Sequence, residues 1–153
     1  MYIRPKEFTK TTDGLTLFRN LVRNKSFTSQ VCLHLCKRDY LLQNELFFPE
    51  GVLFEDVDFS LRCMLKASRV GHRKKQFFLR RVRASSIMTG IGKQTSRQFI
   101  DYFKCYSYML DFLEGIKLDR RSQTAVLAHL WTYLFFVSQH FHTMEKHSSE
   151  QQL

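Results

Sequence analysis

With 153 residues and 44% apolar content, the chain is long enough for one ordinary domain that buries roughly two-thirds of its unfolded surface. Fifteen Phe, six Tyr and one Trp argue against a disordered or low-complexity chain, and only two Pro and six Gly argue against a turn-rich all-β architecture and favour long helices. The formal charge of +10, from 24 Lys and Arg against 14 Asp and Glu, attracts polyanions or an anionic membrane surface but names no partner, and a solvated basic surface accounts for it as well.

In chain order, Asp13 caps a predicted helix whose apolar face is Leu15, Leu17, Phe18, Leu21 and Val22, with Asn24 and Lys25 at its exit. Thr28 or Ser29 is expected to cap a second helix running through Val31, Leu35 and Cys36 to about Arg38. Leu46, Phe47 and Phe48 read as a short extended segment stopped by Pro49, and Gly51 permits an unusual backbone angle before the next helix. That helix carries Phe54, Val57, Leu61, Met64 and Leu65 on one face. Residues 69–72 and 76–82 read as two short strands able to pair as a hairpin. Helical spacing resumes at about Ser96, through Phe99, Phe103, Tyr106, Met109, Leu110 and Leu113, and ends at Glu114-Gly115. A last helix is expected from about Asp119 to His142, followed by a fraying polar tail from Glu145 to Leu153. The apolar run from Ala125 to Val137 is too short for a bilayer span of about 20 residues. Neither an internal repeat nor a strand-helix-strand unit with a Gly-rich turn is present, so a complete nucleotide-binding sheet is not expected.

The cysteines at 32, 36, 63 and 105 lack paired zinc-site spacing, and reduced thiols are expected. Cys32 and Cys36, four apart on the expected second helix, read as buried small apolar residues rather than metal ligands. The histidines at 129, 140, 142 and 147 form no zinc-hydrolase motif and read as incidental. A phosphate loop, a nucleophile elbow and zinc-finger spacing are all missing.

Two clusters carry potential chemistry. Glu55-Asp56-Val57-Asp58 opens a helix, where the positive end of the dipole stabilises each acidic side chain by roughly 0.3 to 1 kcal/mol and accounts for them without any function. Asp58 and Arg62, at i and i+4, suit a structural ion pair. In Arg80-Arg81-Val82-Arg83, Arg81 and Arg83 fall on one face of a strand, and their guanidinium forks suit bidentate contacts with phosphate oxygens.

Taken together, Cys36-Lys37-Arg38-Asp39-Tyr40-Leu41, the segment 46–59, Ala67-Ser68-Arg69-Val70 and the segment 78–89 resemble, in order and spacing, the family 2 glycosyltransferases of bacterial polysaccharide assembly. The resemblance runs from about residue 13 to residue 115 and implies the C-terminal half of a GT-A domain. The expected architecture is α+β and helix-dominated, with a short β-hairpin, two long C-terminal helices and no N-terminal nucleotide-binding sheet. Residues 1–92 would form the acceptor-side half of the catalytic domain, and 93–153 a helical extension packed on it. The resemblance implies that Asp56 is the base that deprotonates the acceptor hydroxyl, with Glu55 supporting it. Arg81, Arg83 and Ser86 match the segment beside the donor's diphosphate. The donor would be a nucleotide sugar held through a divalent metal, Mg or Mn, whose ligands belong to the family's upstream half. Asp56-Val57-Asp58 has the Asp-x-Asp spelling of that metal motif, yet it opens a helix rather than ending a strand. The chain is therefore expected to be truncated and inactive or weakly active by itself.

On this reading the acceptor is a saccharide or a lipid-linked saccharide, in the cytoplasm or at the inner face of the membrane, and an exposed apolar face invites homodimerisation. Nucleic acid is not an expected partner. The alternative is a non-enzymatic basic module that binds nucleic acid or an anionic membrane through charge and stacking.

Overall fold

The computed structural model describes residues 6–75, 78, 79, 81 and 96–150, with the side chains of all but residues 96 and 140–150. Among these residues the fold is helical: α1 is Gly14–Arg23, α2 Arg38–Gln43, α3 Glu55–Lys66, α4 Ser96–Glu114 and α5 Arg120–Glu150, with one 3₁₀ turn at Val31–Leu33.

Asp13 starts α1 as its sequence position predicts, its Oδ1 accepting the Thr16 N–H at 2.7 Å. That bond holds the Asp13 carboxyl below the usual range. The helix stops where Lys25 turns to a positive φ of 50° and Ser26 N–H reaches back to the Leu21 carbonyl at 2.8 Å, closing the exposed end of the helix. Leu17, Phe18 and Leu21 face inward.

The expected second helix does not form. Val31–Leu33 makes a single 3₁₀ turn, and α2 begins only at Arg38. Tertiary bonding explains the difference, since the Ser29 carbonyl accepts the Ser60 hydroxyl of α3 at 2.7 Å. Val31 packs with Tyr40 and Leu41 against a small buried cluster of Leu46, Phe59 and Cys63, so the segment follows the surface of α3 rather than its own helical period.

Val57, Leu61 and Leu65 form the buried stripe of α3, with Phe54 and Met64 packed beside them. The start of α1 butts against the end of this helix: Gly14 N–H donates to the Ala67 carbonyl at 2.7 Å, and a side chain at Gly14 would collide with the Met64 carbonyl. Just beyond, Thr12 and Val70 form an antiparallel bridge, with N–H···O distances of 3.0 and 2.7 Å. The described residues contain no hairpin, because Val70 spends both backbone groups on Thr12. Residues 76, 77, 80 and 82 of its expected second arm lie outside them.

Residues from α1, α3, α4 and α5 meet in one core of Phe18, Val57, Leu61, Leu65, Tyr102, Met109, Val126, Leu130, Tyr133 and Val137. Each such side chain, fully buried, contributes about 1.5–3 kcal/mol. Residues on both sides of position 92 enter this cluster. Asp119 caps α5 by accepting the N–H groups of Arg121 and Ser122 at 2.9 and 3.0 Å, and its other oxygen receives Arg19 of α1 at 3.0 Å. Rather than fraying from Glu145, α5 continues through Glu150. Among the described residues no helix is long and apolar enough to cross a membrane.

Candidate functional site

Glu55 and Asp56 are the first two residues of α3, and the turn that delivers them is fastened from behind by α4. Phe54 holds a left-handed backbone, φ 65° and ψ 29°, a conformation that costs a non-glycine residue on the order of 1 kcal/mol. Its ring offsets this by stacking on Tyr102, with centroids 3.9 Å apart and planes 6° from parallel. One residue earlier, Leu53 N–H donates to Asp101 Oδ2 at 3.2 Å. The Cys105 thiol lies 3.5 Å from the Leu53 carbonyl and 3.4 Å from that of Phe54, and donates toward both. Asp101, Tyr102 and Cys105 therefore form a clamp on one face of α4, all three buried. Lys104 Nζ, 3.4 Å from Asp101 Oδ1, balances the buried carboxylate.

This clamp is what the sequence reading missed. Asp101 sits four residues before Cys105 and eight before Met109, on the stripe that enters the core. An ionisable residue in an apolar stripe is the signal that marks it.

Held in this way, Asp56 is half-buried. Burial pushes its carboxyl above the usual range, the neighbouring Glu55 charge adds to the rise, and the backbone N–H groups of Asp56 and Val57 only partly offset it. Its charge is felt behind it: Tyr102 is pushed up to about 12, chiefly by burial and then by Asp56. Cys105 is also raised to about 12, by burial first and then by Asp58, Asp101, Glu55 and Asp56.

Asp58 takes the structural role expected of it. Its Oδ2 lies 2.7 Å from Arg62, and Arg62 also donates to the Phe47 carbonyl at 2.7 Å, tying the segment before Pro49 to α3. With Asp58 buried and turned to Arg62, Asp56-Val57-Asp58 does not fit a divalent cation. No group of three or more His, Cys, Asp or Glu among the described residues is arranged to hold a metal ion.

Of the residues matched to the diphosphate side, Arg81 is exposed, and Arg83 and Ser86 lie outside the described residues. The four cysteines are free. Cys32 is exposed and Cys36 half-buried, a correction to the expectation that both are buried, and it follows from the loss of the second helix.

No family model, curated protein or solved structure matches the chain.

The chemistry this arrangement can perform follows from Asp56. A carboxylate of raised basicity, positioned by a rigid turn, accepts a proton from a hydroxyl brought within about 3 Å.

Proposed function

We propose that this chain is the acceptor-side half of an inverting family 2 glycosyltransferase, with Asp56 as the general base. The observation that carries the reading is the clamped turn at 53–56, which presents a half-buried carboxylate of raised pKa at the start of α3. The acceptor is a saccharide or lipid-linked hydroxyl. Its oxygen attacks the anomeric carbon of a nucleotide sugar as the bond to the nucleotide diphosphate breaks, and its proton passes to an Asp56 carboxylate oxygen. Displacement from the opposite face inverts the anomeric configuration. Glu55, through its negative charge, raises the affinity of Asp56 for that proton. Arg81, with Arg83 and Ser86, neutralises the departing diphosphate. A divalent metal on the donor, when bound, would share that charge through ligands of the donor-binding half.

The test joins this chain to an upstream donor-binding half and supplies nucleotide sugars, acceptor glycans and a divalent metal. Transfer is expected, with kcat falling at least about a hundredfold in Asp56→Asn. In the wild type, kcat should decline as pH drops through the raised carboxyl pKa, because a protonated base cannot accept the acceptor proton. Wild-type turnover by the Asn variant would refute the assignment of the base.

A second reading is favoured by the exposed basic residues Arg69, Arg73, Lys75 and Arg81: a module that binds polyanions by charge. Binding to unrelated single strands or anionic vesicles that weakens steeply with salt, and is indifferent to nucleotide sugars, would support it.

A further inference from the structure

The helix α5 is apolar on two sides. Val126, Leu130, Tyr133 and Val137 turn into the core. On the side turned away from it, Leu127, Trp131 and Phe135 follow one another at intervals of four residues, which stacks them in one row along the helix. They are 65%, 74% and 59% exposed, and the row runs about 12 Å along the axis. Single apolar side chains at a surface need no explanation, whereas a continuous ridge that holds the chain's one Trp marks a surface that something covers.

The charges beside the ridge select its cover. From Arg120 to Met144 the sequence contains no Asp or Glu, while Arg120 and Arg121, both exposed, open the helix and exposed Lys117 stands just before it. Arg120 falls within about 20° of Trp131 around the helix axis, so a cation stands in line with the apolar row. A second copy of the ridge laid on the first would bring no carboxylate of its own α5 to these cations. A nucleic-acid strand would satisfy them and could stack on Trp131, but it offers no apolar medium to Leu127. An anionic phospholipid surface supplies both requirements: phosphates for Arg and Lys, and the boundary between headgroups and acyl chains for Leu, Phe and the amphipathic indole.

We propose that the Leu127–Trp131–Phe135 ridge docks the chain on an anionic phospholipid bilayer, with α5 lying along the surface rather than crossing it. The three apolar side chains enter the headgroup boundary, and Arg120, Arg121 and Lys117 meet lipid phosphates. The core side of α5 keeps its contacts with the other helices, so docking requires no unfolding. Attraction by charge alone would leave Trp131 in water, whereas docking removes it from water. The proposal concerns α5 and does not rest on Asp56 acting as a base.

Because Trp131 is the only Trp, its fluorescence reports on this surface without a label. The test titrates the full chain with vesicles of phosphatidylcholine and phosphatidylglycerol, and with vesicles of phosphatidylcholine alone. With the anionic vesicles the emission should move to shorter wavelength and be quenched when the acyl chains are brominated near the headgroups, and binding should be at least about tenfold tighter than to phosphatidylcholine. Leu127→Ser with Phe135→Ser keeps the reporter and should weaken binding at least about tenfold, with an unchanged urea midpoint because both side chains are exposed. Arg120→Gln with Arg121→Gln should weaken it by a similar factor. Salt-sensitive vesicle binding that leaves the Trp131 emission unmoved would overturn the proposal. So would an emission shift that appears without lipid as the chain is concentrated, the mark of a second copy on the ridge, or one produced equally by single-stranded nucleic acid.

Discussion

His129 shows how much one side chain can govern. Its ring stands edge-on to Phe18 and Phe27, with centroids 5.7 and 4.9 Å away, and Nε2 has no hydrogen-bond partner among the described residues. Burial holds the imidazole down to about 4 from an ordinary 6.5. The unfolded chain therefore binds this proton at a higher pH than the folded one. The stabilising contribution is complete above pH 6.5 and is lost as pH falls through about 4, with an upper bound on the order of 3 kcal/mol. Urea titrations at pH 7 and pH 4.5 should show this loss in the native chain and a smaller one in His129→Leu. An equal loss in both would place the proton elsewhere. In the sequence His129 is one of several late histidines without a motif. Its meaning depends on α1 and on Phe27, which no local pattern connects to it. Asp13 and the Asp58–Arg62 pair, by contrast, were legible because cap and i,i+4 rules act within a single turn.

At the scale of elements, the contact of Gly14 with Met64 fixes how closely α1 approaches α3. Gly14→Ala would drive a methyl group into the Met64 carbonyl, and the helices must separate or the Gly14–Ala67 hydrogen bond must break. A loss of at least about 2 kcal/mol is expected, read as a lower urea midpoint, and an unchanged midpoint would mean that the junction yields freely. The periodic helices α1, α3, α4 and α5 were legible in their apolar spacing. Residues 28–38 and 69–72 were not, because Ser29, Val31 and Val70 take their partners from α3 and from Thr12. Within the candidate site, the acidic start of α3 was legible. The clamp that shapes it was not, since Asp101 is 48 positions from Leu53.

For the whole molecule, one cluster draws on α1, α3, α4 and α5, so these helices should unfold as a unit. The slowest-exchanging amides of α1 and α5 are expected to share one opening free energy and to respond equally to Leu130→Ala, which should cost about 2–5 kcal/mol. Distinct opening energies for the two helices would mean that position 92 divides the chain energetically.

Arg19 joins Asp119 across 100 positions, and its helix rests on α5, which is made long after it. At about 5–20 residues per second, a newly made α1 waits roughly 5–20 s on the ribosome before its cover is synthesised. Throughout that interval the face of α1 that α5 covers is available to chaperones, and its shelter is complete only once α5 has been made.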